Sequence, residues 1–215
     1  MIGRRALLSV LPSLALLPPA PSIGAIPPGN RLMFRVTRND APIGTHALDF
    51  AGDGERVEVR VAIDLAVRFL GLVAYRYRHR NTERWAGERL LSIESETDRN
   101  GRPYWVRARA VPGGIEVDGS QSGAYRAPAD ATSTSYWHAR LLRPRMIDTQ
   151  GGRLLSCRIE PVENEILAAD SAMRHSQRFR VLGDLSLDIW YDSEGVWSGL
   201  QFTGEDGSTI RYIRT

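Results

Sequence analysis

Hydrophobic residues recur at every second position over long stretches of this chain. The clearest run is 56–69, where Val57, Val59, Val61, Ile63, Leu65, Val67 and Phe69 take the odd positions. Arg56, Glu58, Arg60, Asp64 and Arg68 lie between them. A period of two puts the two sets on opposite faces of a β-strand. One apolar and one charged face is the pattern of an antiparallel sheet with a core on one side and water on the other. The same period returns at Leu32, Phe34 and Val36, at His46, Leu48 and Phe50, and at Leu155, Cys157 and Ile159. It continues through Leu185, Leu187, Ile189 and Tyr191, then Val196, Ser198, Leu200 and Phe202, and ends near Ile210 and Tyr212. Asn39-Asp40, Asn100-Gly101, Pro112-Gly113-Gly114 and Asp206-Gly207 separate these runs with residues that accept the positive φ of tight hairpins. Together these signals predict about ten strands in one all-β domain over 31–215, as a single curved antiparallel sheet or incomplete β-barrel. No strand–helix alternation occurs, which excludes a doubly wound fold.

Residues 120–150 break the rhythm. Ser, Gly, Ala, Pro and Thr dominate their first half, and Ser135-Tyr136-Trp137-His138-Ala139-Arg140-Leu141-Leu142 follows. The expectation is a short helix here, with Ser133, Thr134 or Ser135 as N-cap. A compact domain rarely carries so long an insert unless it works as a lid or plug.

The segment 72–85 has two unlike faces. Odd positions hold Tyr75, Tyr77, His79, Asn81, Glu83 and Trp85, while Arg76, Arg78, Arg80 and Arg84 hold even ones. Four Arg facing a core would be prohibitive without partners, so the aromatic face is expected to turn inward. That face either fills the sheet interior or lines a pocket in which aromatics surround a few convergent polar groups. In the pocket reading the ligand contacts are Tyr75, Tyr77, His79, Glu83 and Trp85, with His46 beside them. Tyr136 and Trp137 would close over them from the 120–150 segment. The expected ligand is an apolar or lipid-like small molecule, oriented by the polar tips of Tyr and Trp.

Composition narrows the chemistry. All 28 basic residues are Arg, so Schiff-base and phosphate-loop lysines are excluded. The formal charge is +3 over 215 residues, and falls to +1 without Arg4 and Arg5. That balance gives no basic field for nucleic acid. A single Cys excludes an internal disulfide and multi-cysteine metal sites.

Residues 1–25 read as a cleavable export signal. Arg4-Arg5 form a positive start, and Ala6 to Leu17 is apolar but shorter than the roughly 20 residues a membrane span needs. Small residues at Ser22, Gly24 and Ala25 suit cleavage. The paired Arg before apolar residues slightly favours the twin-arginine route, although Gly3 stands where that signal carries Ser or Thr. Pro27-Pro28-Gly29 reads as a short stiff linker over 26–30. The expected location is the periplasm, with no transmembrane segment in the mature chain.

No catalytic set nominates itself. His79 and Glu83 lie about 13 Å apart along a strand, too far to share a metal. The four His at 46, 79, 138 and 175 show no ligand spacing. Gly119-Ser120-Gln121-Ser122-Gly123 has Gln at the nucleophile position and reads as a turn. The expectation is a non-enzymatic exported protein with no cofactor and no metal, binding an amphipathic molecule or supporting the cell envelope. The rivals are an envelope hydrolase using His79, Glu83 and His46, and an interaction module with a filled core.

Scattered motifs add a resemblance. Pro42-Ile43-Gly44-Thr45-His46, Tyr75-x-Tyr77-x-His79 with Glu83-x-Trp85, Ser135-x-Trp137, Thr149-Gln150-Gly151 and Trp190-Tyr191-Asp192 with Gly195-x-Trp197 are similar to a bacterial exported family known only as a domain of unknown function. The likeness covers roughly 31–213. It implies no activity and no catalytic residue. At the level of fold it resembles periplasmic proteins of the lipoprotein-carrier type, in which a curved antiparallel sheet wraps an apolar interior.

Overall fold

The alternating segments become long strands whose apolar faces share one interior. The computed structural model describes residues 26–53, 55–69, 72–169 and 172–215, and the expected signal at 1–25 lies outside them. The first eight strands are β1 (Arg31–Arg38), β2 (Ala41–Gly52), β3 (Arg56–Phe69), β4 (Leu72–Ala86), β5 (Arg89–Arg99), β6 (Arg102–Val111), β7 (Gly114–Gly119) and β8 (Gly123–Ala127). Then come β9 (Thr132–Ser133), β10 (Arg145–Ile147), β11 (Leu154–Ala169), β12 (Ala172–Gly183), β13 (Leu187–Asp192), β14 (Trp197–Thr203) and β15 (Thr209–Arg214). They form one sheet in the order β8-β7-β6-β5-β4-β3-β2-β1-β15-β14-β13-β12-β11-β10-β9. Neighbours are antiparallel except β9 and β10, which are parallel.

The described residues thus hold fifteen strands, not about ten, and the expected helix at 135–142 is absent. Two causes explain the extra strands. β9 and β10 are too short to display a period. β5 buries Leu90 and Ile93 in its first half but turns Ser95 and Thr97 inward in its second, where both faces are polar and hydropathy does not alternate. The helix fails because Tyr136 takes φ 56°, a left-handed conformation that breaks a helical run. Only one 3-10 turn survives, Ala139–Leu141, and His138 caps it by accepting from the Arg140 amide. The Pro28–Asn30 stretch also forms a 3-10 turn, and Ile26 before it packs against the core.

Inward residues of β1, β2 and β3 are buried throughout: Leu32, Phe34, Val36, Leu48, Phe50, Val57, Val59 and Val61. β4 presents its aromatic face to this interior, with His79, Asn81, Glu83 and Trp85 all buried. Its Arg face is outside, where Arg80 pairs with Asp64 at 2.7 Å and Arg84 with Glu58 at 3.1 Å. Exposed pairs of this kind contribute about 0–1 kcal/mol each, so burial of the apolar face holds the sheet.

The sheet's two ends meet through a glycine contact. A Cβ on Gly119 would lie 2.5 Å from the Gly151 carbonyl oxygen and 2.8 Å from the Gly152 Cα. The β7–β8 turn therefore touches the 148–153 loop backbone to backbone, and the Gln121 amide donates to the Gly151 carbonyl at 3.0 Å. Gly44 bends the sheet near its centre: at φ 151° a Cβ there would fall 1.9 Å from the Asp64 carbonyl oxygen.

Candidate functional site

Strand register sorts the interior into rows. Phe50, Val59, Glu83 and Ile93 face one another across β2 to β5. Phe34, His46, Ile63, His79 and Thr97 form a second row, and Val36, Gly44, Leu65, Tyr77 and Arg99 a third at the sheet's end.

The first row is closed by the chain from β8 to β11. This strap crosses the interior and bridges at His138 to Val196, just before β14, where the Trp197 amide donates to the Trp137 carbonyl at 3.2 Å. The left-handed turn at Tyr136 aims Trp137 into the core, where it packs edge to face on Phe50 at 5.3 Å and on Trp85 at 6.3 Å. Glu83 lies beneath, fully buried, and receives hydrogen bonds from Asn81 Nδ2 (2.8 Å), Trp85 Nε1 (3.0 Å) and Ser135 Oγ (2.8 Å). Ser133 extends this chain to Ser135 at 2.9 Å. The expected capping role of Ser135 is thus replaced by a bond to Glu83. Burial raises the Glu83 pKa, and the surrounding neutral donors only partly offset that rise.

The second row holds two neutral imidazoles. His79 Nδ1 hydrogen-bonds Thr97 Oγ1 at 2.8 Å, and burial, aided by Arg80, lowers its pKa to about 4. His46 sits among Phe34, Trp197 and Tyr212, and burial, aided by His79, lowers its pKa to about 3. Ile63 stands between the two rings in the register. His138 packs instead on Gly195, on the far side of the strap. No group of three metal-binding side chains occurs among the described residues.

The third row opens to solvent. Tyr77 faces Arg99, whose guanidinium donates to Gln150 Oε1 at 2.7 Å and lies over the Tyr104 ring at 5.6 Å. Arg99, Gln121, Asp148, Arg153, Leu155 and Leu185 border an open cavity of about 610 Å³. Asp148 shapes its rim by accepting from the Gln150 and Gly151 amides. Tyr77, Tyr136 and Tyr212 are partly buried and pack against the hydrophobic core. Burial raises all three hydroxyl pKa values, with Tyr212 at about 12, and the Asp148 charge reinforces the rise at Tyr77 and Tyr136. A larger open groove of about 690 Å³ runs over the outer face of β4 to β8, but its arginines are ion-paired there: Arg84 with Glu94, Arg109 and Arg126 with Glu116. It reads as a solvated exterior.

The residues expected to line a pocket therefore divide. Glu83, Trp85 and Trp137 join one packed cluster, His46 and His79 are buried in the next row, and Tyr77 and Tyr136 are partly buried against the core. Tyr75 lies farther out on β4, half-buried. Arg99, Gln121, Asp148, Gln150 and Arg153 escaped sequence reasoning. Arg99 ends a strand without hydropathic alternation, and the others lie in turns, where period carries no signal. Thr149-Gln150-Gly151 was their one sequence trace.

Two comparisons bear on this geometry. A family model described as a domain of unknown function, DUF6134, matches residues 34–215. The crystal structure of a β-barrel-like protein of another domain of unknown function, DUF1849, from Brucella abortus is similar with a TM-score of 0.61 at 10% identity. That match covers 86% of this chain and 95% of the Brucella chain, and speaks to the fold alone. No curated protein matches the chain.

Proposed function

The chain belongs to the DUF6134 family, a domain of unknown function, and we propose that it is an exported, periplasmic, non-enzymatic protein that binds an amphipathic molecule at the mouth of its curved sheet. The cavity between Arg99 and Leu185 carries this reading. Guanidinium groups and amides ring one side, while Leu155 and Leu185 supply apolar area beside them. Five polar or charged side chains and two leucines make a mainly polar rim, which suits the head of an amphiphile. Arg99 and Arg153 would hold an anionic head, and Leu155 and Leu185 would lie along the start of the chain attached to it.

The hydrolase alternative lacks an arrangement to support it. His79 is bonded to Thr97 and Glu83 to Ser135, each pair is buried, and no carboxylate orients His79. Export rests on Arg4-Arg5, the apolar stretch and the small residues that follow. N-terminal sequencing of the cellular protein should find a start near Ala25 or Ile26, and an intact Met1 would refute export.

Binding is tested by titrating a fatty acid, a lysophospholipid and an uncharged alkyl glycoside while following Tyr and Trp fluorescence. An anionic amphiphile should saturate, and Arg99→Gln with Arg153→Gln should weaken it roughly tenfold or more, about 1.4 kcal/mol. No saturation by any of the three would overturn the reading.

A further inference from the structure

Arginines on this sheet usually stand against carboxylates. Arg38 pairs with Asp206, Arg80 with Asp64, Arg84 with Glu58, Arg109 with Glu116, Arg178 with Asp188 and Arg211 with Asp40. Around the 610 Å³ cavity, charges of both signs share one rim without pairing. Arg99 donates to the Gln150 side-chain oxygen at 2.7 Å and lies over the Tyr104 ring. Arg153 is exposed, and its side chain has no hydrogen bond or ion pair among the described residues. Asp148 is only 9% exposed, and its two oxygens accept from the Gln150 and Gly151 amides, both neutral donors.

The loop itself keeps these charges apart. Gln150 holds Arg99 through its side chain and Asp148 through its backbone amide, at 3.0 Å, so it stands between the two. Gln121 rests its carboxamide against Gly151, where any Cβ would collide with it, and so fixes the rim beside them. Asp184, next to Leu185, is engaged by the Ser156 amide at 2.7 Å and pairs with neither arginine. The Asp148 charge is also felt at Tyr77, Tyr125 and Tyr136, whose hydroxyl pKa values it helps to raise, as a carboxylate with no cation beside it does.

A carboxylate withdrawn from water gains from a cation, and two guanidinium groups gain from an oxyanion. A ligand in a cavity of small-molecule size can supply both. A purely anionic head would satisfy the arginines but set its own charge against Asp148, and that repulsion discriminates against it. An ionised carboxylate has about four lone-pair directions. The two amides leave Asp148 room to accept from a further donor.

We infer, resting on the amphiphile reading above, that the cavity selects a zwitterionic head, with an oxyanion held by Arg99 and Arg153 and a primary ammonium donating to Asp148. The test compares lysophosphatidylethanolamine with lysophosphatidylglycerol of the same acyl chain, each titrated below its micelle concentration by calorimetry. The native protein should bind the ethanolamine lipid tighter by roughly tenfold or more. Asp148→Asn keeps the size and one acceptor oxygen but removes the charge, and should shrink that preference to under about threefold. Arg99→Gln with Arg153→Gln should weaken both lipids. Equal affinity for the two on the native protein, or tighter binding of the glycerol lipid, overturns the zwitterion and leaves the amphiphile reading standing. A preference that persists in Asp148→Asn at an unchanged thermal midpoint overturns it equally. Saturation by neither lipid overturns both readings together. The comparison of heads on the native protein decides the matter even where Asp148→Asn fails to fold.

Discussion

Two stretches of the same strand face, six residues apart on β4, behave in opposite ways. At Glu83 and Trp85 every side chain has found a protein partner: the carboxylate takes three donors, and the indole packs on Trp137. At Tyr77 the face meets Arg99, which borders the open cavity. Both stretches keep the same alternation of inward and outward residues, with a bulge against β5 at Arg84 and Trp85. What differs is the strap, which covers the first and stops short of the second. An inward-facing aromatic row on a curved sheet is therefore not by itself a pocket. It becomes one only where nothing from the same chain fills the space above it.

The largest expected effect lies at the filled end. Trp137→Ala should destabilise by about 3–5 kcal/mol, because it empties a packed aromatic site and frees the strap from β2 and β4. Chemical denaturation reads this directly. Tyr136→Phe, at the mouth, should cost under about 1 kcal/mol, since the ring remains in place. Equal losses for the two would erase the division of the interior.

Next comes Glu83. Glu83→Ala leaves Asn81, Trp85 and Ser135 without their acceptor and should cost about 2–4 kcal/mol. Glu83→Gln retains the shape and one acceptor oxygen and should cost markedly less. If both variants unfold at the same denaturant concentration, the carboxylate is not the anchor of the strap.

Acid should weaken the fold through the middle row. His79 and His46 have folded-state pKa values of about 4 and about 3, below the ordinary 6.5. The unfolded chain thus takes up protons from pH 6.5 downward while the folded one stays neutral. Their contribution is intact above pH 6.5 and is lost as the pH falls toward 4. Glu83 acts in the opposite sense: its raised pKa lets the folded state keep a proton above the ordinary 4.5, so its contribution declines as pH rises past that value. The imidazole contribution to the thermal midpoint should therefore drop between pH 6.5 and 4. His46→Gln should flatten that slope. A slope unaltered by the substitution would mean that acid acts elsewhere.

The smallest effect belongs to the outer face. Arg60 is solvent-exposed beside Glu58, so Arg60→Gln should change stability by under about 1 kcal/mol. Val61→Asp, one residue along and facing inward, should cost several times more, since it buries an unpaired charge.

The parts legible in the sequence are those where hydropathy alternates. β3 announced its inward face residue by residue, and the aromatic side of β4 followed from the cost of burying four Arg. β5 was opaque because its inward Ser95 and Thr97 are polar: Ser95 donates to the Thr149 carbonyl at 2.6 Å, and Thr97 serves His79. The strap misled for a different reason. Tyr136–Leu142 has helical composition, but a single left-handed residue and the bridge to β14 hold it extended. Tertiary contacts of that kind leave no local trace. The cavity rim was hidden in the same way, assembled from a strand end, two turns and a loop brought together by Gly119 and Gly151.

The division of the interior is tested most directly by native mass spectrometry of protein recovered from its own cells, compared with the Arg99→Gln, Arg153→Gln variant. The account predicts a bound small amphiphile on the native protein, released on denaturation and absent from the variant, with the fold of both unchanged by circular dichroism. A bare polypeptide mass in both, or an adduct that survives loss of the two arginines, would contradict a binding site at the mouth.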